Sequence, residues 1–299
     1  MNNNLMECVP NISNGSDHSV IEYCVDAIRQ NSSLKLIDYS SDADHNRTVI
    51  TFVGESDALV EGALELSKRA VQRIDLNTQK GTHPRMGAID VIPFVPLGNT
   101  TIQDCIKTSE ILAQKVAESL HLPVYLYALS ARTENRKKLP TIRKGEFEGF
   151  AEKIKLPEWT PDFGPCERHP TAGVVAIGAR EFLVAFNIYL HTPLESIAEQ
   201  IAKNLRESSG GHRYLQAKGM YIAEKGLAQV SMNILDFNKL PLYRVIEMVR
   251  IEAKRFGVAV AESELIGLAP MQALLDTAAY YMQLPNLRPE HLVETKIWE

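Results

Sequence analysis

Residues 182–211 read FLVAFNIYLHTPLESIAEQIAKNLRESSGG. Phe182–Leu190 is a short apolar run of strand length. Thr192-Pro193-Leu194-Glu195 then predicts a helix start: threonine can cap, proline fits the first turn and glutamate can complete a capping box. Ser208-Ser209-Gly210-Gly211 ends that helix in a turn. Beyond it come strands near Tyr214–Ala223 and Leu227–Ile234, a helix from Leu242 to Phe256 closed by Gly257, and a strand through Val258–Ile266. The order β-α-β-β-α-β fits a ferredoxin-like sandwich, with helices covering one face of a sheet.

The same order recurs upstream. Leu5–Ile12 reads as a strand ending in Ser13-Asn14-Gly15, and Ser16 or Asp17 can cap a helix that places Val20, Ile21, Cys24, Val25 and Ile28 on one face. Strands Leu34–Tyr39 and Thr48–Val53 follow, joined by the polar stretch Ser40–Arg47. A helix from about Ser56 to Ile74 turns Leu59, Ala63, Leu66, Ala70 and Ile74 inward, and Ala88–Phe94 is a strand. Extra pieces follow: a helix over Ile102–Leu120, a strand over Val124–Leu129, and a loop-rich connection through residues 131–165. Val174–Ala179 is expected to pair with Phe182–Leu190. The expected fold class is α/β (α+β), with two ferredoxin-like subdomains, residues 1–181 and 182–299, their sheets facing each other and helices outside.

The chain has 299 residues, 45% hydrophobic and 23% charged, enough to bury a substantial core. With 32 Lys and Arg against 37 Asp and Glu, the net charge of -5 argues against nucleic acid or an anionic membrane as the main partner. The start MNNNLMECVP, Asn-rich but without a basic then apolar pattern, predicts no secretory signal, and no apolar run is long enough to cross a bilayer. Cys8, Cys24, Cys105 and Cys166 are scattered, as expected for reduced thiols in a cytoplasmic protein.

Two stretches stand out chemically. In GTHPRMGAIDVIPFVP, residues 81–96, Pro84 biases His83 toward extended angles and the flanking glycines let the backbone turn tightly. A histidine held there can exchange protons near neutral pH, or can be a structural residue bonded to backbone. In PDFGPCERHPTAGVVAIGAR, residues 161–180, a Gly- and Pro-punctuated loop can wrap a flat ligand, with Arg168 or Arg180 meeting a carboxylate. It can equally be an inter-domain crossover.

The turn Ser40–Arg47 offers Asp42 to orient a histidine, and Asn46 and Arg47 for polar ligand groups, although Asx residues are ordinary turn formers. Cys166 and His169, with His83 as a third ligand, make a poor metal set. There is no second compact His/Cys pair and the eight histidines are dispersed, so no metal is expected. GxSxG, GxGxxG and Walker patterns are absent, which excludes the usual hydrolase, dinucleotide and nucleotide-triphosphate signatures. Arg132–Lys138 lacks interleaved aromatics and reads as a solvated basic loop.

Taken together, MECVPNIS (6–13), NRTVITFVG (46–54), GTHPRMGAIDVIPFVP (81–96), RKGEFEG (143–149), PDFGP (161–165), GAREFLVAFNIYL (178–190), QVSMNILDF (229–237) and ESELIGLAP (262–270) resemble, in order and along nearly the whole chain, the formiminotransferase family. This is the transferase module of formimidoyltransferase-cyclodeaminase. The resemblance implies a folate-binding tunnel enclosed by two subdomains, and transfer of a formimidoyl group from N-formimidoyl-L-glutamate to tetrahydrofolate as co-substrate in histidine degradation. It implies that His83 is the catalytic histidine and that Gly164, Pro165, Cys166, Glu167, Arg168, His169, Pro170, Thr171, Ala172 and Gly173 form the folate-binding loop. Asp42, Asn46, Arg47, Arg85 and Arg180 are supporting candidates, with Arg143 and Lys144 as further cations for substrate carboxylates. Tyr189 stands where the family pattern FNxNL has asparagine.

On this resemblance the expected partners are the two small molecules, tetrahydrofolate as its polyglutamate included, and a second copy of the chain in a homodimer. A separate cyclodeaminase would act downstream, since the chain stops at Glu299. Formyl transfer between N-formylglutamate and folate, and a folate-binding protein without catalysis, are the alternatives. A metal-dependent amidohydrolase is a further rival that a chelator would expose.

Overall fold

Asp17 starts the first helix as the sequence predicts, accepting the amides of Ser19 at 2.9 Å and Val20 at 3.4 Å. The computed structural model describes residues 4–298; residues 1–3, most of the Asn-rich start, and residue 299 lie outside the described residues. The opening strand is split in two, β1 (Met6–Cys8) and β2 (Asn11–Ile12). The break falls at Val9-Pro10, where proline has no amide hydrogen for the ladder; its carbonyl still accepts the Ile50 amide at 3.0 Å. Helix α1 (His18–Arg29) buries Val20, Ile21, Cys24, Val25 and Ile28, the expected stripe.

Strands β3 (Lys35–Asp42) and β4 (Arg47–Gly54) form an antiparallel hairpin that pairs Asp42 with Arg47, so the turn is shorter than the polar stretch predicts. Helix α2 (Ser56–Arg73) leads to β5 (Ile89–Pro96). Helix α3 (Ile102–Leu120), opened by a Thr101–Asp104 capping box, leads to β6 (Val124–Ala128).

Two expectations for the next segment need correction. Residues 131–165 carry two short helices, α4 (Leu139–Arg143) and α5 (Glu146–Lys153). Pieces of five and eight residues make too few turns for a 3.6-residue period to show. Strand β7 (Val175–Ala179) does not pair with the strand that follows it; it lies parallel between β5 and β6. All five of its residues are buried, the continuous apolar pattern of a central parallel strand, which does not name its partners.

The first sheet therefore runs β3-β4-β1/β2-β5-β7-β6, a ferredoxin-like core extended by two parallel strands. Its two faces separate by strand alternation. Ile50, Phe52, Ile92, Phe94, Leu126 and Ile177 pack on the side of α1, α2 and α3. Val91, Tyr125, Tyr127, Val174 and Ala176 pack with Ile142 and Phe150 of α4 and α5 on the other.

The second unit follows the predicted order: β8 (Val184–Leu190), α6 (Glu195–Leu205), β9 (Leu215–Ile222), β10 (Leu227–Ile234), α7 (Leu242–Arg255) and β11 (Val260–Ile266). Its sheet order is β11-β8-β10-β9, with Val184, Ile188, Ile201, Val230, Val245 and Val249 in the core. The predicted capping box does not form. Thr192 Oγ1 accepts the Leu194 amide at 3.2 Å and α6 begins one residue later. Helices α8 (Met271–Met282) and α9 (Val293–Trp298) lie beyond the predicted elements. Two compact units result, Met1–Arg180 and Glu181–Glu299. No described helix is long and apolar enough to cross a membrane.

Candidate active site

The two chemically unusual stretches meet in the first unit. Gly87 and Gly173 form an isolated antiparallel bridge, flanked by Val174 N donating to Met86 O at 3.0 Å and Ala88 N to Ala172 O at 2.9 Å. Both glycines are required there. A Cβ on Gly87 would stand 2.0 Å from Val174 O, and one on Gly173, whose φ is +72°, 2.2 Å from Met86 O. Ser13 Oγ donates to Gly87 O at 2.7 Å and Thr82 N to Asp44 O at 3.0 Å, so the segment carrying His83 is tied at both ends.

His83 is 6% exposed, and its Nε2 is buried without a hydrogen-bond partner among the described residues. That nitrogen stands 3.7 Å from Oδ2 of Asp90, a fully buried carboxylate on β5. Asp90 Oδ1 accepts the Met86 amide at 2.9 Å. Its Oδ2 accepts Arg143 Nε at 2.8 Å and also Arg143 Nη2, from the last residue of α4. Burial pushes the Asp90 carboxyl up, but the Arg143 guanidinium, His83 and the Met86 amide outweigh it and hold the group below the usual carboxylate range. Burial pushes the His83 imidazole down, aided by Arg143 and Arg47 and opposed by Asp90. The ring is therefore neutral at pH 7, the state in which it can accept a proton.

Arg47 completes the cluster. On β4 it alternates with Thr48, Ile50 and Phe52, which places it on the face away from α1 and α2. Its guanidinium makes no hydrogen bond among the described residues, and burial followed by repulsion from Arg143 disfavours its charge. Two arginines near one carboxylate leave a surplus of positive charge beside His83, suited to an anionic group.

The other candidates have different surroundings. Asp42 does not orient His83: its Oδ2 lies 2.9 Å from His45 Nδ1 and its Oδ1 accepts the His45 amide, so Asp90 is the carboxylate at His83. Asn46 is a staple at φ 51°, accepting Gly15 N at 2.8 Å and donating to Lys80 O at 2.8 Å. Arg85 turns toward α5, bonding Glu148 at 2.8 Å and the Gln79 carbonyl at 3.1 Å. Arg180 acts on Glu7 and Tyr127, whose hydroxyl burial pushes up to about 12.

Within the loop, Gly164 has φ +88° and packs against Leu122 O, and Gly164, Pro165, Cys166 and Glu167 are exposed. Arg168 donates to Phe147 O at 2.8 Å and lies over the Phe147 ring. His169 Nδ1 accepts the Ala172 amide at 3.0 Å, and His169 pairs with Gly173 to close the bend over Pro170 and Thr171. His83, Cys166 and His169 are not assembled as ligands: among the described residues no group of three or more His, Cys, Asp or Glu can hold a metal ion. Asp90 is the residue that sequence reasoning missed; its signal was a lone charge inside the apolar strand AIDVIPF.

Comparison with known proteins identifies the family. Residues 5–180 match the family model described as the formiminotransferase domain, N-terminal subdomain, and residues 185–296 match the formiminotransferase domain. The chain belongs to the formiminotransferase family.

Within that family it is 46% identical to glutamate formimidoyltransferase of Streptococcus pyogenes serotype M1, covering 94% of each chain. It is 42% identical to glutamate formimidoyltransferase of Thermoplasma acidophilum, over 98% of this chain and 97% of that one. Formimidoyltransferase-cyclodeaminase of Mus musculus is 45% identical, over 95% of this chain and 53% of the longer relative.

Proposed function

We propose that this chain is a glutamate formimidoyltransferase, moving the formimidoyl group of N-formimidoyl-L-glutamate to tetrahydrofolate to give 5-formimidoyltetrahydrofolate and L-glutamate. Near-full-length identity of 42–46% to two glutamate formimidoyltransferases carries the reaction class. The neutral, buried His83 beside Asp90, Arg143 and Arg47 supports its place in the chain.

His83 serves as the proton shuttle. The folate N5 amine bonds to the formimidoyl carbon, and the proton it sheds passes to the imidazole. The tetrahedral intermediate then breaks its bond to the glutamate nitrogen, which takes the proton from the imidazolium as it leaves. One neutral histidine returns to its starting state, and such acid–base help contributes roughly 10²–10⁴-fold. Arg47 receives a substrate carboxylate, and residues 164–173 hold the folate with their backbone. The reading extends to a homodimer in the cytoplasm and to a cyclodeaminase activity that consumes the product.

The deciding experiment measures glutamate release from formimidoylglutamate with and without tetrahydrofolate, and with and without a chelator. Folate-dependent, chelator-insensitive release is expected. Release without folate, or release lost to chelator, overturns the reading. Substituting N-formylglutamate for the donor tests formyl against formimidoyl transfer, and sedimentation velocity tests the dimer.

A further inference from the structure

Asp90 has three claims on one carboxylate. Its Oδ1 is committed to the Met86 amide, three residues beyond His83, and its Oδ2 is shared between the Arg143 guanidinium and the space in front of His83 Nε2. The Nε2 atom is buried, unpartnered and 3.7 Å from that oxygen. A buried polar nitrogen left without a partner is unusual, because its desolvation goes uncompensated. Here the missing partner is in line of sight, and a displacement of under an ångström closes the gap to ordinary hydrogen-bond length.

We infer that Asp90 is the positioning residue of His83: it holds the imidazole through Nε2, takes up the charge of the ring when a proton arrives on the other nitrogen, and is itself held ready by Arg143. The inference rests on the proposed role of His83. An ionised carboxylate buried next to an imidazole strengthens its cationic form and fixes which nitrogen carries the standing proton. Left alone, the Asp90 carboxylate would hold the ring in its protonated form too readily. Arg143 bonds the same oxygen and takes up much of its charge, so the ring stays neutral until it receives a proton. The charged groups acting on the ring are thus Asp90 from β5, Arg143 from α4 and Arg47 from β4. A substrate carboxylate that draws Arg143 or Arg47 toward itself would release Asp90 to His83, coupling substrate arrival to the basicity of the ring.

The test is a histidine titration by NMR on the full-length, substrate-free protein carrying ¹³C-labelled histidine, with the His83 signal assigned by its loss in His83→Gln. Asp90→Asn keeps an oxygen for the Met86 amide and removes the charge; Arg143→Gln removes the competing cation. Opposite displacements are expected: the His83 midpoint falls in Asp90→Asn and rises in Arg143→Gln, and the acidic limb of kcat/KM follows in each. In Asp90→Asn, kcat drops roughly 10²-fold or more, within the range of acid–base catalysis, while KM for both substrates stays within a few-fold. Should Asp90→Asn fail to fold, Arg143→Gln alone decides by its rise.

Unmoved midpoints and an unmoved acidic limb overturn the inference. A fall in kcat with no change in either pH profile does the same, since it marks a merely structural role. Transfer activity that persists in His83→Gln overturns the proposed shuttle role of His83 instead, while glutamate release without folate overturns the proposed function.

Discussion

Gly87 pairs with Gly173 across an isolated antiparallel bridge that, with the hydrogen bonds flanking it, joins the segment bearing His83 to the loop 164–173. Residues far apart in the chain thereby become one structural unit. Gly173→Ala forces a side chain into the left-handed region and drives its Cβ to 2.2 Å from Met86 O. The expected loss of stability is about 1–3 kcal/mol, read from urea denaturation midpoints. Transfer activity falls with it because His83 and the loop shift together; a variant of unchanged stability and rate refutes the coupling.

His83 itself gives a pH prediction. Its folded-state pKa lies below the ordinary 6.5 because burial outweighs the attraction of Asp90. The unfolded chain then binds more protons than the folded one between that lowered value and 6.5, so stability present above pH 6.5 is lost as pH falls through this window. The acidic limb of kcat/KM lies below 6.5 for the same reason. His83→Ala removes this part of the pH dependence and lowers turnover roughly 10²–10⁴-fold, with folate affinity retained by isothermal titration.

Substitutions at Arg47 and Arg85 are expected to separate ligand recognition from structure. Arg47→Met removes a guanidinium that bonds no protein group among the described residues, so KM for formimidoylglutamate rises with little loss of melting temperature. Arg85→Met leaves Glu148 and the Gln79 carbonyl without their donor. It lowers stability by about 1–3 kcal/mol and leaves substrate KM near its starting value. Reversal of the two patterns in steady-state kinetics and thermal melts contradicts the assignment.

The thiols report on the loop. Cys8, Cys24 and Cys105 are buried and Cys166 is exposed. Burial pushes the Cys8 and Cys24 thiols up, the latter to about 12, so both are poor nucleophiles at neutral pH. Native protein is expected to take up one equivalent of N-ethylmaleimide, at Cys166, and tetrahydrofolate is expected to slow that reaction. Labelling indifferent to saturating folate speaks against folate contact at residues 164–173.

Regular elements were legible where one side-chain period ran long enough. Helices α1, α2, α3 and α7 show a full apolar stripe, and both β-α-β-β-α-β orders follow from such segments. Helices α4 and α5 were not legible, since their helical character depends on Ile142, Phe147 and Phe150 finding the sheet. Strand β7 was legible as a strand but not in its pairing. An apolar run states that both faces are covered and leaves open which neighbours cover them.

The candidate site divides in the same way. His83 and the loop 164–173 are marked by local chemistry, a histidine before proline and a cluster of Gly and Pro, and both are readable in order along the chain. Asp42, in the same stretch as Arg47, looked like a partner for His83 but bonds His45 three residues away, because a turn satisfies its own Asx group first. By itself the sequence determined the order of the two β-α-β-β-α-β cores and the family pattern, and it marked His83 as the candidate proton-exchanging residue. Only the tertiary structure decided which carboxylate and which cations face that residue. Asp90, Arg143 and Arg47 come from three elements, and their mutual electrostatics exist only once those elements pack around one buried ring.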